Sequence, residues 1–159
     1  MTQITTHEGQ LNAKGKRFAL VASRYNEIVT SRLISGAQDC LLRHGAAAAD
    51  IEVFRVPGSY EIPLVARRVG KSGKFDAVVC LGAIIRGETP HFDFVASEAA
   101  RGVSRAAMES DVPVIFGVVT TDTVEQAVDR AGGRAGNRGA EAALAAIEMA
   151  SLLENSKGA

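Results

Sequence analysis

Residues 77–93, AVVCLGAIIRGETPHFD, contain the change of pattern on which the fold turns. Ala77 to Leu81 is an apolar run of strand length, and Gly82 to Asp93 leads from its carboxyl end into a long helix-like segment. In open α/β sheets, ligands bind at the carboxyl ends of strands. Gly82 and Gly87 let backbone approach a ligand closely, Arg86 brings permanent positive charge, and His91 can take or give a proton near neutrality. The same residues also fit a tight turn whose Pro90 starts a helix with His91 in its first turn.

Outward from this stretch the pattern repeats. Arg17 to Ser23 and Ile51 to Val56 read as the first two strands, Asp76 to Leu81 as the third and Val114 to Val119 as the fourth. Between them the spacing predicts helices. One spans Glu27 to His44, with Ile28, Leu33, Ile34, Ala37, Cys40 and Leu41 on its apolar face and Gly45 just beyond its end. A second spans Glu61 to Val69, where Pro63 demands a start close to Tyr60. A third spans Phe92 to Ser110, with Phe94, Val95, Ala99, Val103, Ala106 and Ala107 facing inward.

A short helix over Val124 to Ala131 follows the hydroxyl cluster Thr120 to Thr123, which can cap it. A basic, glycine-rich connection from Arg134 to Gly139 leads to a final helix over Ala140 to Leu153. Strands alternating with helices imply right-handed crossovers and a parallel sheet covered on both faces. The expected fold class is therefore α/β: a three-layer αβα sandwich with a four-stranded parallel sheet, flavodoxin-like. Residues 1–16 form an extended N-terminal arm, 17–154 a single domain and 155–159 a C-terminal tail.

Length and charge exclude several classes. At 159 residues the chain supports one domain with a real core. Eighteen Lys and Arg balance eighteen Asp and Glu, so no overall field draws in nucleic acid or an acidic membrane, and any anion must be held locally. Cys40 and Cys80 sit in apolar periodic segments without metal-type spacing and read as buried free thiols. Residues 1–15 lack the apolar centre of a signal peptide, and no apolar run reaches membrane-spanning length, so a cytoplasmic location is expected.

The strand ends of a parallel sheet share one edge, so Tyr25-Asn26, Pro57 to Glu61, Gly87 to His91 and Thr120 to Thr123 can converge. Together they offer an aromatic face, a carboxylate, hydroxyls, a histidine and backbone amides, an inventory suited to a planar, hydroxylated ligand bearing an anionic group. Gly133 to Gly139 has neither the dinucleotide-binding pattern nor a P-loop. Arg130, Arg134 and Arg138 fit a solvated surface, or alternatively a set of guanidinium groups gathered on a phosphate. Taken from position alone, His7 and His44 have no catalytic setting.

Four motifs in order, SRYNEIVT (Ser23 to Thr30), PGSYEIP (Pro57 to Pro63), GAIIRGETPHFDFV (Gly82 to Val95) and DRAGGRAGNRGAEAA (Asp129 to Ala143), resemble the lumazine synthases of riboflavin biosynthesis. The resemblance extends from Arg17 to Leu153. It implies condensation of 5-amino-6-ribitylamino-uracil with 3,4-dihydroxy-2-butanone 4-phosphate to 6,7-dimethyl-8-ribityllumazine, phosphate and water, the penultimate step of that pathway, without metal or organic cofactor. It places Tyr25 against the pyrimidine, where the family usually has Phe or Trp, and Ser59, Tyr60 and Glu61 along the ribityl chain. Ala83, Ile84 and Ile85 would line the ring pocket, while Gly87, Glu88, Thr89 and Arg130 would hold phosphate.

By the same resemblance, His91 would transfer protons and Phe116 would come from an adjacent subunit. Arg138, like Arg134, stands where the family commonly has Lys, and a guanidinium does not automatically reproduce an ammonium hydrogen bond. Homopentamers are implied, and the uninserted connection Gly132 to Asn137 looks like the subgroup that closes into icosahedral shells, with riboflavin synthase as a pathway partner. The competing expectations are a flavin or lumazine carrier, or a shell protein, without turnover, and a flavodoxin-like electron carrier.

Overall fold

The computed structural model describes residues 2–158; Met1 of the arm and Ala159 of the tail lie outside the described residues. Strands β1 (Phe18–Ser23), β2 (Ile51–Val56), β3 (Ala77–Ile85) and β4 (Val114–Thr121) pair in parallel in the order β2-β1-β3-β4. Period-two alternation divides their side chains between two cores. Phe18, Leu20 and Ala22 of β1 face one side with Val79 and Leu81 of β3, under helices α1 (Glu27–Arg43) and α5 (Arg138–Asn155). Ala19, Val21, Val78 and Cys80 face the other, under α2 (Ile62–Gly70) and α3 (His91–Ser110). This is the expected α/β sandwich with helices on both faces. Each fully buried Phe or Leu, such as Phe18 and Leu20, contributes about 1.5–3 kcal/mol.

Several boundaries differ from the sequence reading for identifiable reasons. β3 does not end at Leu81 but continues through Gly82, Ala83, Ile84 and Ile85, and β4 continues through Thr120 and Thr121. The two extensions pair with each other, Ile84 opposite Thr120 and Ile85 opposite Thr121, so each satisfies backbone groups the other would leave open. The glycine-rich connection is a small antiparallel hairpin, β5 (Ala131–Gly133) and β6 (Gly136–Asn137), between the short helix α4 (Val124–Asp129) and α5. Two residues assigned to apolar helix faces lie outside: Ile28 is 61% exposed and Phe94 is 69% exposed.

Helices α1 and α5 approach unusually closely. A Cβ on Gly139 would lie 2.1 Å from the Leu33 carbonyl oxygen, and one on Gly36 would collide with the Asn137 side chain. Asn137 occupies that contact. Its Oδ1 accepts from the Gly139 and Ala140 amides at 2.8 and 3.1 Å, capping α5, and its Nδ2 donates to the Arg32 carbonyl at 3.1 Å. The end of the arm runs along the same helix: the Gln10 amide donates to Ser151 Oγ at 2.9 Å, and Lys16 pairs with Glu154. Residues 2–8 have no regular structure and are exposed. Both cysteines are buried and free, and burial pushes the Cys80 thiol up.

Candidate functional site

The connections leaving β1 and β3 diverge. From β1 the chain turns into α1 on one face of the sheet, and from β3 into α3 on the other. Because these strands are neighbours, a crevice opens between their carboxyl ends, the switch point at which doubly wound sheets bind ligands. It holds a cavity of about 790 Å³.

Tyr25 and Asn26 come from the end of β1. Pro57, Gly58 and the 3₁₀ turn Ser59–Glu61 come from β2, Ala83, Ile84 and Ile85 from β3 itself, and Gly87, Thr89 and His91 from the loop beyond. Of the residues expected from sequence, Tyr25, Ser59, Tyr60, Glu61, Ala83, Ile84, Ile85, Gly87, Thr89 and His91 thus share one cavity. Phe92, Phe94, Val95 and Val124 complete its apolar wall. Phe94 and Val95 fall on the apolar face that the spacing predicts for α3, yet Phe94 is exposed, as is Val124 at the start of α4.

The local geometry gives each polar group a state. Glu61 Oε2 accepts the Gly58 amide at 3.1 Å, closing the turn that follows β2 and leaving the second carboxylate oxygen to accept from a ligand hydroxyl. Ser59 is only 6% exposed, and its hydroxyl has no hydrogen-bond partner among the described residues; Ser23, fully buried, is in the same position. A Cβ on Gly82 would lie 2.5 Å from Ser59 Oγ and 3.2 Å from Ser23 Oγ. The glycine is therefore a space for two hydroxyls beneath the cavity. Gly87 differs: a Cβ there would meet open space, so nothing in its surroundings demands glycine. His91, the first residue of α3, is exposed and lines the cavity.

Tyr25, 73% exposed, and Tyr60 present aromatic surface at the cavity mouth. Backbone bonds fix the β1 loop against the β2 loop, from the Arg24 amide to the Val56 carbonyl at 2.8 Å and from the Tyr25 amide to the Pro57 carbonyl at 3.1 Å.

Arg86 is committed to structure. Its Nε donates to Asp122 at 2.9 Å, its Nη1 lies 3.5 Å from Asp93, and its guanidinium stands 4.4 Å from the centre of the Phe92 ring. The hydrogen bond to Asp122 raises its already high pKa. The hydroxyl cluster is also consumed locally. Thr121 Oγ1 donates to the Thr123 carbonyl at 2.8 Å, while Thr123 and Gln126 exchange capping bonds at the start of α4. None of Thr120 to Thr123 lines the cavity, so the expected fourth contribution comes from Val124 instead.

Four other expected residues lie off this cavity. Glu88 is exposed beside it. Phe116, 39% exposed, stands on the edge strand β4 opposite Cys80, well before the strand's carboxyl end. Arg130 and Arg138 flank the base of the β5–β6 hairpin, where the Arg138 amide donates to the Arg130 carbonyl at 2.7 Å. Arg138 Nη1 lies 3.5 Å from Glu141, and Arg134 sits at the hairpin's turn.

Among solved structures, a de novo designed Rossmann fold protein is similar at 15% identity and a TM-score of 0.40, with 70% of this chain and 90% of that chain covered. The family model of 6,7-dimethyl-8-ribityllumazine synthase matches residues 15–154. That match takes in all six strands, all five helices but the last residue of α5, and every residue lining the cavity. The chain belongs to the 6,7-dimethyl-8-ribityllumazine synthase family, a family of transferases in riboflavin biosynthesis.

Proposed function

We propose that the crevice between β1 and β3 condenses 5-amino-6-ribitylamino-uracil with 3,4-dihydroxy-2-butanone 4-phosphate to give 6,7-dimethyl-8-ribityllumazine, the penultimate step of riboflavin biosynthesis. The observation that carries this reading is the gathering of two tyrosines, a serine, a carboxylate and a histidine in one cavity of about 790 Å³. Tyr25 stacks on the pyrimidine, and Ala83, Ile84 and Ile85 bound its ring. Ser59, with a buried and unpartnered hydroxyl, and Glu61, with a spare carboxylate oxygen, read the ribityl hydroxyls.

Attack of the ring amine on the ketone expels water and forms an imine; elimination expels phosphate; a second condensation closes the ring. His91 serves as general acid and base, a role that typically contributes about a hundred- to ten-thousand-fold. Holding the two reactants together supplies much of the remaining acceleration. Gly87 and Thr89, which line the cavity with Glu88 exposed beside them, take the phosphate end of the butanone in this reading.

The site is completed by a neighbouring copy of the chain. Phe116 and Arg130 are exposed and off the cavity of their own chain, which suits residues that serve an adjacent one; Arg130 pairs with the phosphate, and Arg138 takes the place of the family's usual lysine. A homopentamer, closing into an icosahedral shell in the cytoplasm, is the assembly we assign. Mass measurement in solution tests it, and a monomer at working concentration refutes the shared site.

Incubation with both substrates, followed by lumazine absorbance, tests the activity. His91→Ala is expected to be impaired but not dead, and Arg130→Ala to lose mainly butanone phosphate binding. Unchanged kinetics in both variants refute the roles, and tight flavin binding without turnover establishes a carrier instead.

A further inference from the structure

One residue at the cavity breaks the local rules of its own helix. Asn26 precedes α1 in the left-handed conformation, with φ 64° and ψ 47°; Asp111 is the only other non-glycine with positive φ among the described residues. Asn at a helix start normally turns its side-chain oxygen back on the first free amides. Thr123 and Asn137 do so for α4 and α5. Asn26 does not: its side chain makes no cap, and its Nδ2 donates instead to the Ala83 carbonyl at 2.8 Å.

Its own carbonyl accepts the Val29 and Thr30 amides at 2.9 and 3.0 Å, so the backbone alone starts the helix. A strained conformation with a forgone cap, found at a ligand cavity, marks a residue held for something other than folding.

We infer that Asn26 is a positioning residue for the pyrimidine substrate, a cross-brace that fixes the stacking Tyr25 against the strand edge Ala83–Ile85. On one side, backbone bonds tie residues 24 and 25 to the β2 loop that carries Ser59 and Glu61. On the other, the Asn26 side chain ties the same loop to β3, which carries the ring-lining residues. The connections that leave β1 and β3 diverge onto opposite faces of the sheet, and this hydrogen bond joins them where they part. The inference rests on the proposed pyrimidine site.

The test uses Asn26→Asp and Asn26→Gly, both of which tolerate the left-handed backbone. Asn26→Asp replaces the donor with a carboxylate facing the Ala83 carbonyl while leaving an acceptor able to cap α1, and Asn26→Gly deletes the brace. Each is titrated with 6,7-dimethyl-8-ribityllumazine by fluorescence and assayed against both substrates, with thermal unfolding recorded alongside. Lumazine affinity is expected to fall at least tenfold and KM for the ribitylamino-uracil to rise by a similar factor. KM for butanone phosphate should stay within about twofold, because the brace does not touch the phosphate end.

Wild-type lumazine affinity in either folded variant, or equal losses for the two substrates, overturns the positioning role. If the unmodified protein neither binds lumazine nor forms it, the site assignment itself falls and the brace with it. Normal wild-type turnover with unaffected variants removes the brace alone.

Discussion

Gly82→Ala probes the space beneath the cavity. The new methyl would sit 2.5 Å from Ser59 Oγ, 3.1 Å from Ile62 Cδ1 and 3.2 Å from Ser23 Oγ. Ile62 Cδ1 is the end of a flexible side chain and can yield, but Ser59 must retreat by about an ångström in a packed setting, and such overpacking costs about 1–3 kcal/mol. Restricting a glycine within a strand returns roughly 0.5–1 kcal/mol, so the net destabilisation is about 1–2 kcal/mol.

In urea at fixed protein concentration this lowers the unfolding midpoint by roughly half a molar to one molar. Ser59→Ala removes the oxygen that collides, along with a hydroxyl that lacks a protein partner. Alone it should therefore be near neutral or slightly stabilising. The double variant should recover most of the loss, a coupling of about 1 kcal/mol. If the two changes are additive, or Gly82→Ala unfolds as the parent does, the glycine is not a space kept for hydroxyls and the reasoning fails.

Two further perturbations test the frame around the site. Glu109 of α3 joins Arg67 of α2 and Arg105 of its own helix, and hydrogen bonds from Arg105 and then Arg67 hold its carboxyl down at about 2, against an ordinary 4.5. A depressed carboxylate stabilises fully above its unfolded value, so this contribution is present above about pH 4.5 and is lost as pH falls through about 2. Denaturant melts across that window should show a shallower fall in Glu109→Gln than in the parent, and identical slopes would refute the bridge. Asn137→Ala removes the cap of α5 and its bond to α1, a loss of about 1–2 kcal/mol, and calorimetry should show Tm lower by roughly 3–8 °C.

Much of this architecture is written in periodicity. Phe18–Ser23 and Ile51–Val56 are short apolar or β-branched runs bounded by polar residues, and α1 stops where Gly45, with φ 104°, follows its last turn. The strand ends were harder to read. Gly82 looks like a break and Thr120-Thr121 like a loop, because the pairing that keeps both in strands is made with a segment nearly forty residues away. The β5–β6 hairpin, with strands of three and two residues, is too short to carry any period.

At the site, position at the strand ends gathers Tyr25, Ser59, Glu61 and His91 on one edge, while their separate roles follow from the four-motif resemblance. Asn26 falls at the same edge, but its brace cannot be read there, since it depends on a carbonyl 57 positions away and on a backbone angle. Phe94 falls on an apolar face by its three- and four-residue spacing, which identifies the face without saying what covers it.

The close seating of α5 on α1 has a consequence for synthesis. The core beneath α1 is completed by Ala142, Ala143, Ala146 and Ile147, from the last fifth of the chain, and the arm's Gln10 is held by Ser151. While the ribosome is still making these residues, β1, β2 and α1 are already outside it with one wall of their core missing. The first and last segments can meet only once α5 has been made, so this half of the sandwich closes after the other, whereas α2 and α3 can settle on the opposite face while the chain is still growing.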